Sequence, residues 1–337
     1  MRKRTWISLV VVAAVLAALA VTVFLRKKAP PEVARLLPEA DAIVYFNLQP
    51  LRAATHFDRH PVVHDPGYQA FIDATGIQFE RDLDEAAFAI HRRANPGGPN
   101  GPVAYSEVFR GRFDGPRLTA YLAAQAGGVD GERHYAGHTV YSIAHDARTV
   151  RVVILGYDLV AVSNTPTPEQ IHSIIDRYHS SASPFSGDTL LSRYYSQVPL
   201  LSQAWGIGAL GLPFASDQQF RVFGLPLPLP VNATFVASVR YLRDIHFRLE
   251  EIARSPQAAM QSAEIARLAL GMLRSAQIST GPNEASAKQW NELLAGVKIE
   301  QKGKRAILTA VAPVSLVKSL LKQQTAKPGG GSQQPSQ

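Results

Sequence analysis

The chain has 337 residues, of which 46% are apolar, 18% charged and 8% aromatic, and it contains no cysteine. This composition excludes wholesale disorder, collagen and coiled coil, and it leaves no disulfide framework, thiolate nucleophile or cysteine zinc site. The net charge of +8 is concentrated: Arg2, Lys3, Arg4, Arg26, Lys27 and Lys28 supply six positive charges, residues 1–28 hold no acid, and the remainder carries only +2. A phosphate-binding surface would need its basic residues in the folded part, so nucleic acid is excluded as a partner.

In chain order, residues 1–4 are a short basic end, expected in the cytoplasm. Residues 5–25 lack any charge, Pro or Gly. At about 1.5 Å per residue they reach about 31 Å, the thickness of a bilayer's hydrocarbon core, and predict a transmembrane helix. Trp6 stands where an indole suits the interface. A cleaved signal peptide, with Ala18-Leu19-Ala20 as its small-residue site, is the competing reading. The apolar run continues through Leu25, which favours a retained span. Basic side chains are equal on the two flanks, three and three. The free amino terminus tips the orientation toward a cytoplasmic start and an extracytoplasmic bulk; the reverse topology is the alternative. Residues 26–35 read as a basic, proline-containing linker.

Residues 36–180 form the first predicted α+β half. Residues 42–48 are a β-rich run, followed by a helical or irregular stretch to Gly76. Residues 86–92 make a strand, and a Gly/Pro loop joins it to the alternating run 103–113, whose one face carries Val103, Tyr105, Glu107, Phe109, Gly111 and Phe113. A helix spans 117–126. Strands follow at 139–143, 150–155 and 159–163, the last two turning at Gly156-Tyr157-Asp158. Thr167-Pro168-Glu169-Gln170 then starts a helix through a capping box, with Ile171, Ile174 and Ile175 on its buried stripe.

Residues 181–322 form the second half. Residues 190–205 read as helix, then a Gly/Pro-rich passage runs to Pro230. A hairpin of 233–241 and 245–251 precedes a long helix over 256–275, capped by Ser255 with Pro256 in its first turn. A further capping box opens at Ser286. A hairpin of 297–300 and 305–311 turns over Lys302-Gly303-Lys304, and an amphipathic helix over 313–322 closes the fold. Residues 323–337 are Gln/Gly/Ser/Pro-rich and predicted to be a disordered tail. The fold class is therefore α+β: a transmembrane helix, then mixed, largely antiparallel sheets packed with helices. Each half supplies strands, a hairpin and a helix, a grammar compatible with two related halves, although no residue-level identity links them.

Pro38-Glu39-Ala40-Asp41-Ala42-Ile43-Val44-Tyr45 resembles the opening of certain bacterial membrane-anchored extracytoplasmic proteins of unknown function. Thr75-Gly76, Arg81-Asp82-Leu83-Asp84, Gly111-Arg112-Phe113-Asp114 and the passage 235–274 are similar to further landmarks of that family. The resemblance implies a membrane-bound, extracytoplasmic chain and carries over no catalytic residue.

Chemistry is sought directly in the side chains. His56, His60 and His64 recur at a spacing of four, with Asp58 and Asp65 beside them, a pattern that could bind a transition metal on one helix face. Pro61 disfavours a continuous helix through the set, and exposed loop histidines are the plainer reading. His134, His138 and His145 cluster around a strand start, where strand geometry would place His134 and His138 on one face. Ser315 and Lys318 match a Ser-x-x-Lys spacing, but its companion elements are absent. Asp82 and Asp84, flanked by Arg81, read as a solvated start of a strand. No phosphate loop, nucleophile elbow or His-Glu-x-x-His occurs, and no cofactor is expected. The segment 220–230 is too proline-rich for a central strand. It is either an apolar surface for a peptide, lipid or membrane, or a connector buried across the core. These readings lead to a membrane-anchored extracytoplasmic binding or scaffold protein. Its partners are the membrane, through residues 5–25, and a protein or envelope ligand. The alternative is an envelope enzyme, a metal-dependent hydrolase built from the histidines.

Overall fold

The structure, a computed structural model, describes residues 29–59, 64–97, 101–127, 131–145, 148–180, 188–209, 220–222, 225–227, 233–275 and 293–313. The proposed span 5–25, the tail 323–337, Ser315, Lys318 and the predicted helix 313–322 beyond its first residue lie outside them, as does the capping box at Ser286. Among the described residues no helix is long and apolar enough to cross a membrane. The chain divides into two compact units, Met1–Pro213 and Phe214–Gln337.

The first unit runs α1 (Glu32–Arg35), β1 (Ala42–Asn47), α2 (Gln49–Thr55), a 3-10 turn (Phe57–Arg59), α3 (Pro66–Thr75), α4 (Phe79–Asp82), β2 (Leu83–Arg92), β3 (Val103–Gly111), α5 (Gly115–Gln125), β4 (Glu132–Tyr135), β5 (His138–His145), β6 (Arg148–Ile154), β7 (Leu159–Ser163), α6 (Glu169–Ser180), α7 (Thr189–Tyr194) and β8 (Ala204–Ala209). Its strands lie in the order β8-β1-β2-β3-β7-β6-β5-β4, each neighbouring pair antiparallel. The helices start where short polar side chains satisfy free amides. Asp65 accepts from Tyr68 N at 3.0 Å and Asp114 from Arg117 N at 3.1 Å, each with Pro in the first turn. Gly76, at φ 73°, ends α3 in the left-handed conformation that glycine adopts without strain.

Because side chains alternate across a strand, this sheet has two faces of different character. One face is a dry core. Ile43, Tyr45, Val108, Ala161, Val153 and Ile207 are all buried there, and Tyr45 stacks on Trp205 at 5.4 Å. Val33, Ala34, Leu36 and Leu37, in and just after α1, cover β1–β3, while Ile171, Ile174 and Ile175 of α6 cover β6 and β7. Full burial of each Val, Leu or Ile side chain among them contributes about 1.5–3 kcal/mol. The second face is covered over β5–β7, where Leu118 and Leu122 of α5 pack with Ile77, Tyr141, Val152 and Val160. Over β1–β3 it is more open: Ala42, Ile90 and Val103 are buried, Val44 and Tyr105 are half-buried, and Phe46 is 39% exposed.

The second unit contains β9 (Phe220–Val222), β10 (Leu225–Leu227), β11 (Thr234–Tyr241), β12 (Ile245–Ile252), α8 (Pro256–Ser275), β13 (Lys298–Lys302) and β14 (Arg305–Ala312). Its sheet is β13-β14-β12-β11, antiparallel at every step, and α8 packs on β13 and β14. Ser255 Oγ accepts from Ala258 N at 3.1 Å, which caps α8. Glu250, fully buried, is matched by Arg248 and by Arg305 at 3.1 Å. β9 and β10 form a separate two-stranded ribbon within the proline-rich passage.

The mixed α+β architecture with a large antiparallel sheet agrees with the sequence reading, and several details differ. The linker 26–35 ends early, because Glu32 begins a helical turn whose following apolar residues are sealed into the core. The run 190–205 is not one helix: α7 ends at Tyr194, and Trp205 lies in β8, held by pairing with β1. That pairing sets β8 beside β1, and the two compact units meet in sequence at 213/214. Asp82 is not solvated. It is 6% exposed, held by the Arg81 guanidinium at 2.6 Å and by Gln78 N at 3.0 Å.

Candidate functional site

The histidines singled out above are dispersed. His56 caps α2 with φ 52°, His60 lies outside the described residues, and His64 sits between Gln69 Oε1 at 3.3 Å and Glu80 Oε1 at 3.2 Å. His134 and His138 do not share one strand face. They stand on β4 and β5, across the Ala136-Gly137 turn. His134 Nδ1 lies 3.3 Å from Thr139 Oγ1, while His138 Nδ1 lies 3.1 Å from the Ile154 carbonyl and its ring meets those of Tyr178 and His179. Among the described residues no three His, Asp or Glu side chains form a set that could hold a metal ion.

A histidine that the sequence did not single out has a more suggestive setting. On the core face, His91 Nε2 lies 2.9 Å from Ser106 Oγ. A chain of hydroxyls continues through Ser163 at 3.3 Å to Thr165 at 2.9 Å, which donates to the Thr167 carbonyl. Burial lowers the His91 pKa against the opposing pull of Asp41 and a backbone bond to Glu39, so the ring is neutral at pH 7. Histidine beside serine is the pairing of an activated nucleophile. Here, however, Ser106 and Ser163 are sealed between the sheet and its helices. No substrate reaches them, and the chain instead satisfies polar groups inside an apolar core.

A cleft of about 620 Å³ opens at the ends of β2, β3 and β7, lined by Asp84, Arg110, Arg112, Phe113, Asp114 and Asp158 among others. Its charges are already matched within the protein. Asp84 pairs with Arg52 at 2.9 Å, and Arg110 reaches Glu32, Glu85 and Asp158. Arg112 donates to the Arg81 carbonyl, and Asp114 caps α5. Among the described residues the cleft is laced by internal ion pairs that tie α1 and α2 to β2, β3 and the turn before β7.

The second face of the sheet presents the opposite situation. Glu107, at mid-β3, stands opposite Phe88 of β2 and Val162 of β7. Tyr105 and Phe109 are its same-face neighbours along β3. Phe88 meets Phe46 edge-to-face at 6.1 Å and Phe109 at 5.8 Å. Burial alone pushes the Glu107 carboxyl up to about 7. Among the described residues it has neither a hydrogen bond nor an ion pair. The alternation over 103–113 already displayed one acid within an aromatic row; its significance depended on how that face was covered.

No family model matches the chain, and no curated protein matches its sequence. Crystal structures of TP0453 are similar to it in chain path. Form III shares 13% identity over 87% of this chain and 99% of that one, with a TM-score of 0.44. Forms I and IV share 12% and 13% identity, each over 88% of this chain and 98% of that one, with TM-scores of 0.41. These distant likenesses carry no argument about activity.

Proposed function

We propose that the chain is a membrane-anchored extracytoplasmic binding or scaffold module that acts without chemistry. Residues 5–25 supply the anchor by their length and hydropathy. The observation that carries the binding reading is the contrast among the three polar settings of the first unit. The His91–Ser106 chain is sealed, and the Arg110 cleft is internally matched. The half-open face around Phe46, Phe88, Tyr105 and Phe109 offers apolar surface with one unmatched carboxyl. Apolar surface of this kind, interrupted by few polar groups, is the usual composition of a binding site.

Two measurements test the reading. A reporter fused after Lys322 should be active outside the cytoplasm, and activity confined to the cytoplasm would overturn the orientation. Cross-linking of the full-length protein in membranes should capture a partner or ligand whose yield falls severalfold with Phe46→Asp, which places a charge on the open face. Capture indifferent to that substitution would remove the face from the reading. Chelator-sensitive hydrolytic activity would favour the envelope enzyme instead.

A further inference from the structure

The open face carries an electrostatic mismatch. The nearest cation along β3 is Arg110, which lies on the opposite face by strand alternation and is occupied by Glu32, Glu85 and Asp158. The strands flanking Glu107 place Phe88 and Val162 directly beside it. Of the side chains that share its face on β2, β3 and β7, Tyr105 is the nearest that titrates. Asp84 and Arg92, of the same parity on β2, stand four residues from Phe88, about 13 Å along the strand. A carboxyl half-removed from water with nothing to match it is unfavourable, and such groups in folded proteins call for an explanation. The rings around it have negative faces that attract cations, most strongly where water is displaced. A carboxylate among aromatic rings thus has the chemistry of a receptor for an organic cation.

We propose that this face of the first unit binds an apolar molecule carrying one protonated amine, with Glu107 as counter-ion and Phe46, Phe88 and Phe109 against its apolar body. The inference rests on the binding-module reading above and specifies its ligand class. It also entails a pH dependence. With the free carboxyl titrating at about 7, the site is charged at pH 8 and neutral at pH 5.5, so the preference for a cation disappears as the pH falls.

The test uses the full-length protein in nanodiscs, titrated calorimetrically with 4-phenylbutylamine, 4-phenylbutanol and 4-phenylbutyrate, with empty nanodiscs as the blank. At pH 8 the amine should bind about tenfold more tightly than the alcohol, and the carboxylate most weakly. At pH 5.5 the gap between amine and alcohol should close. Glu107→Gln should close it at pH 8, chiefly by weakening the amine. Phe46→Ala, at an exposed position, should weaken amine and alcohol together and preserve their ratio. The proposal is overturned if the amine has no advantage at pH 8, if the advantage survives Glu107→Gln, or if Phe46→Ala affects neither ligand. Equal binding of amine and alcohol would remove the cation assignment and leave the binding module intact. That reading fails separately, through capture indifferent to Phe46→Asp.

Discussion

Replacing Glu107 by glutamine keeps the shape of the side chain and removes its charge. Burial moves the carboxyl from its ordinary 4.5 to about 7 in the folded protein. Each unit of that difference is worth about 1.4 kcal/mol, so the folded state disfavours the carboxylate by on the order of 3 kcal/mol, reduced to about 2 kcal/mol by the water that reaches a half-buried group. The sign follows from proton counting. Between pH 4.5 and 7 the folded chain holds more protons at this position than the unfolded chain, so stability falls as the pH rises. The wild-type contribution is fully present below the unfolded pKa and lost once the pH passes the folded one. The variant has no such titration. Urea unfolding of the two full-length proteins, followed by circular dichroism in the same detergent, should give matching stabilities at pH 4. At pH 8 the variant should be about 2 kcal/mol more stable. Parallel pH profiles, or a variant weaker at pH 8, would mean that the carboxylate has a partner in the folded protein and would refute the reasoning.

Other substitutions probe the framework. Ile174→Ala, at a fully buried position on α6, should cost about 2–5 kcal/mol in denaturant unfolding, and a loss below 1 kcal/mol would deny that α6 seals the core face. Gly111→Ala drives a Cβ into the Asp82 carbonyl oxygen, so the backbone where the end of β3 meets the start of β2 must shift. A loss of about 2–3 kcal/mol is expected, and an unchanged melting curve would contradict that close approach. Replacing His56, His60 and His64 together by alanine should cost about 1 kcal/mol, from the bonds of His64 to Gln69 and Glu80. Chelator should shift the melting of neither protein; a large chelator-dependent drop in the wild type alone would establish a metal site.

Much of the architecture is written locally. Ser255-Pro256 marks the start of α8 because a cap and a first-turn proline act within one helical turn. The β13–β14 hairpin is legible because the alternation on either side of Lys302-Gly303-Lys304 has the period of a strand. The proposed span is likewise a matter of local hydropathy. The parity of β3, with Glu107 among Tyr105 and Phe109, was equally visible, since two-residue alternation needs no partner strand.

Tertiary structure decided what those elements do. Trp205 falls in a run whose sequence has the look of a helix, because a six-residue strand has too few turns of pattern to reveal its period. Pairing with β1 and stacking on Tyr45 settle it. His91, Ser106 and Ser163 are unremarkable in sequence, separated by 15 and 57 positions, and become one hydrogen-bonded chain only through the register of β2, β3 and β7. The same register opposes Phe88 to Glu107, and the position of α5 over β5 and β6 leaves the face above β1–β3 half open. Sequence by itself determined the period, the caps and the charge balance, because these act over a few residues. Whether Glu107 would be solvated, paired or left unmatched was settled by which surfaces the folded chain covers, since desolvation is a property of the whole surrounding volume and not of neighbouring residues along the strand.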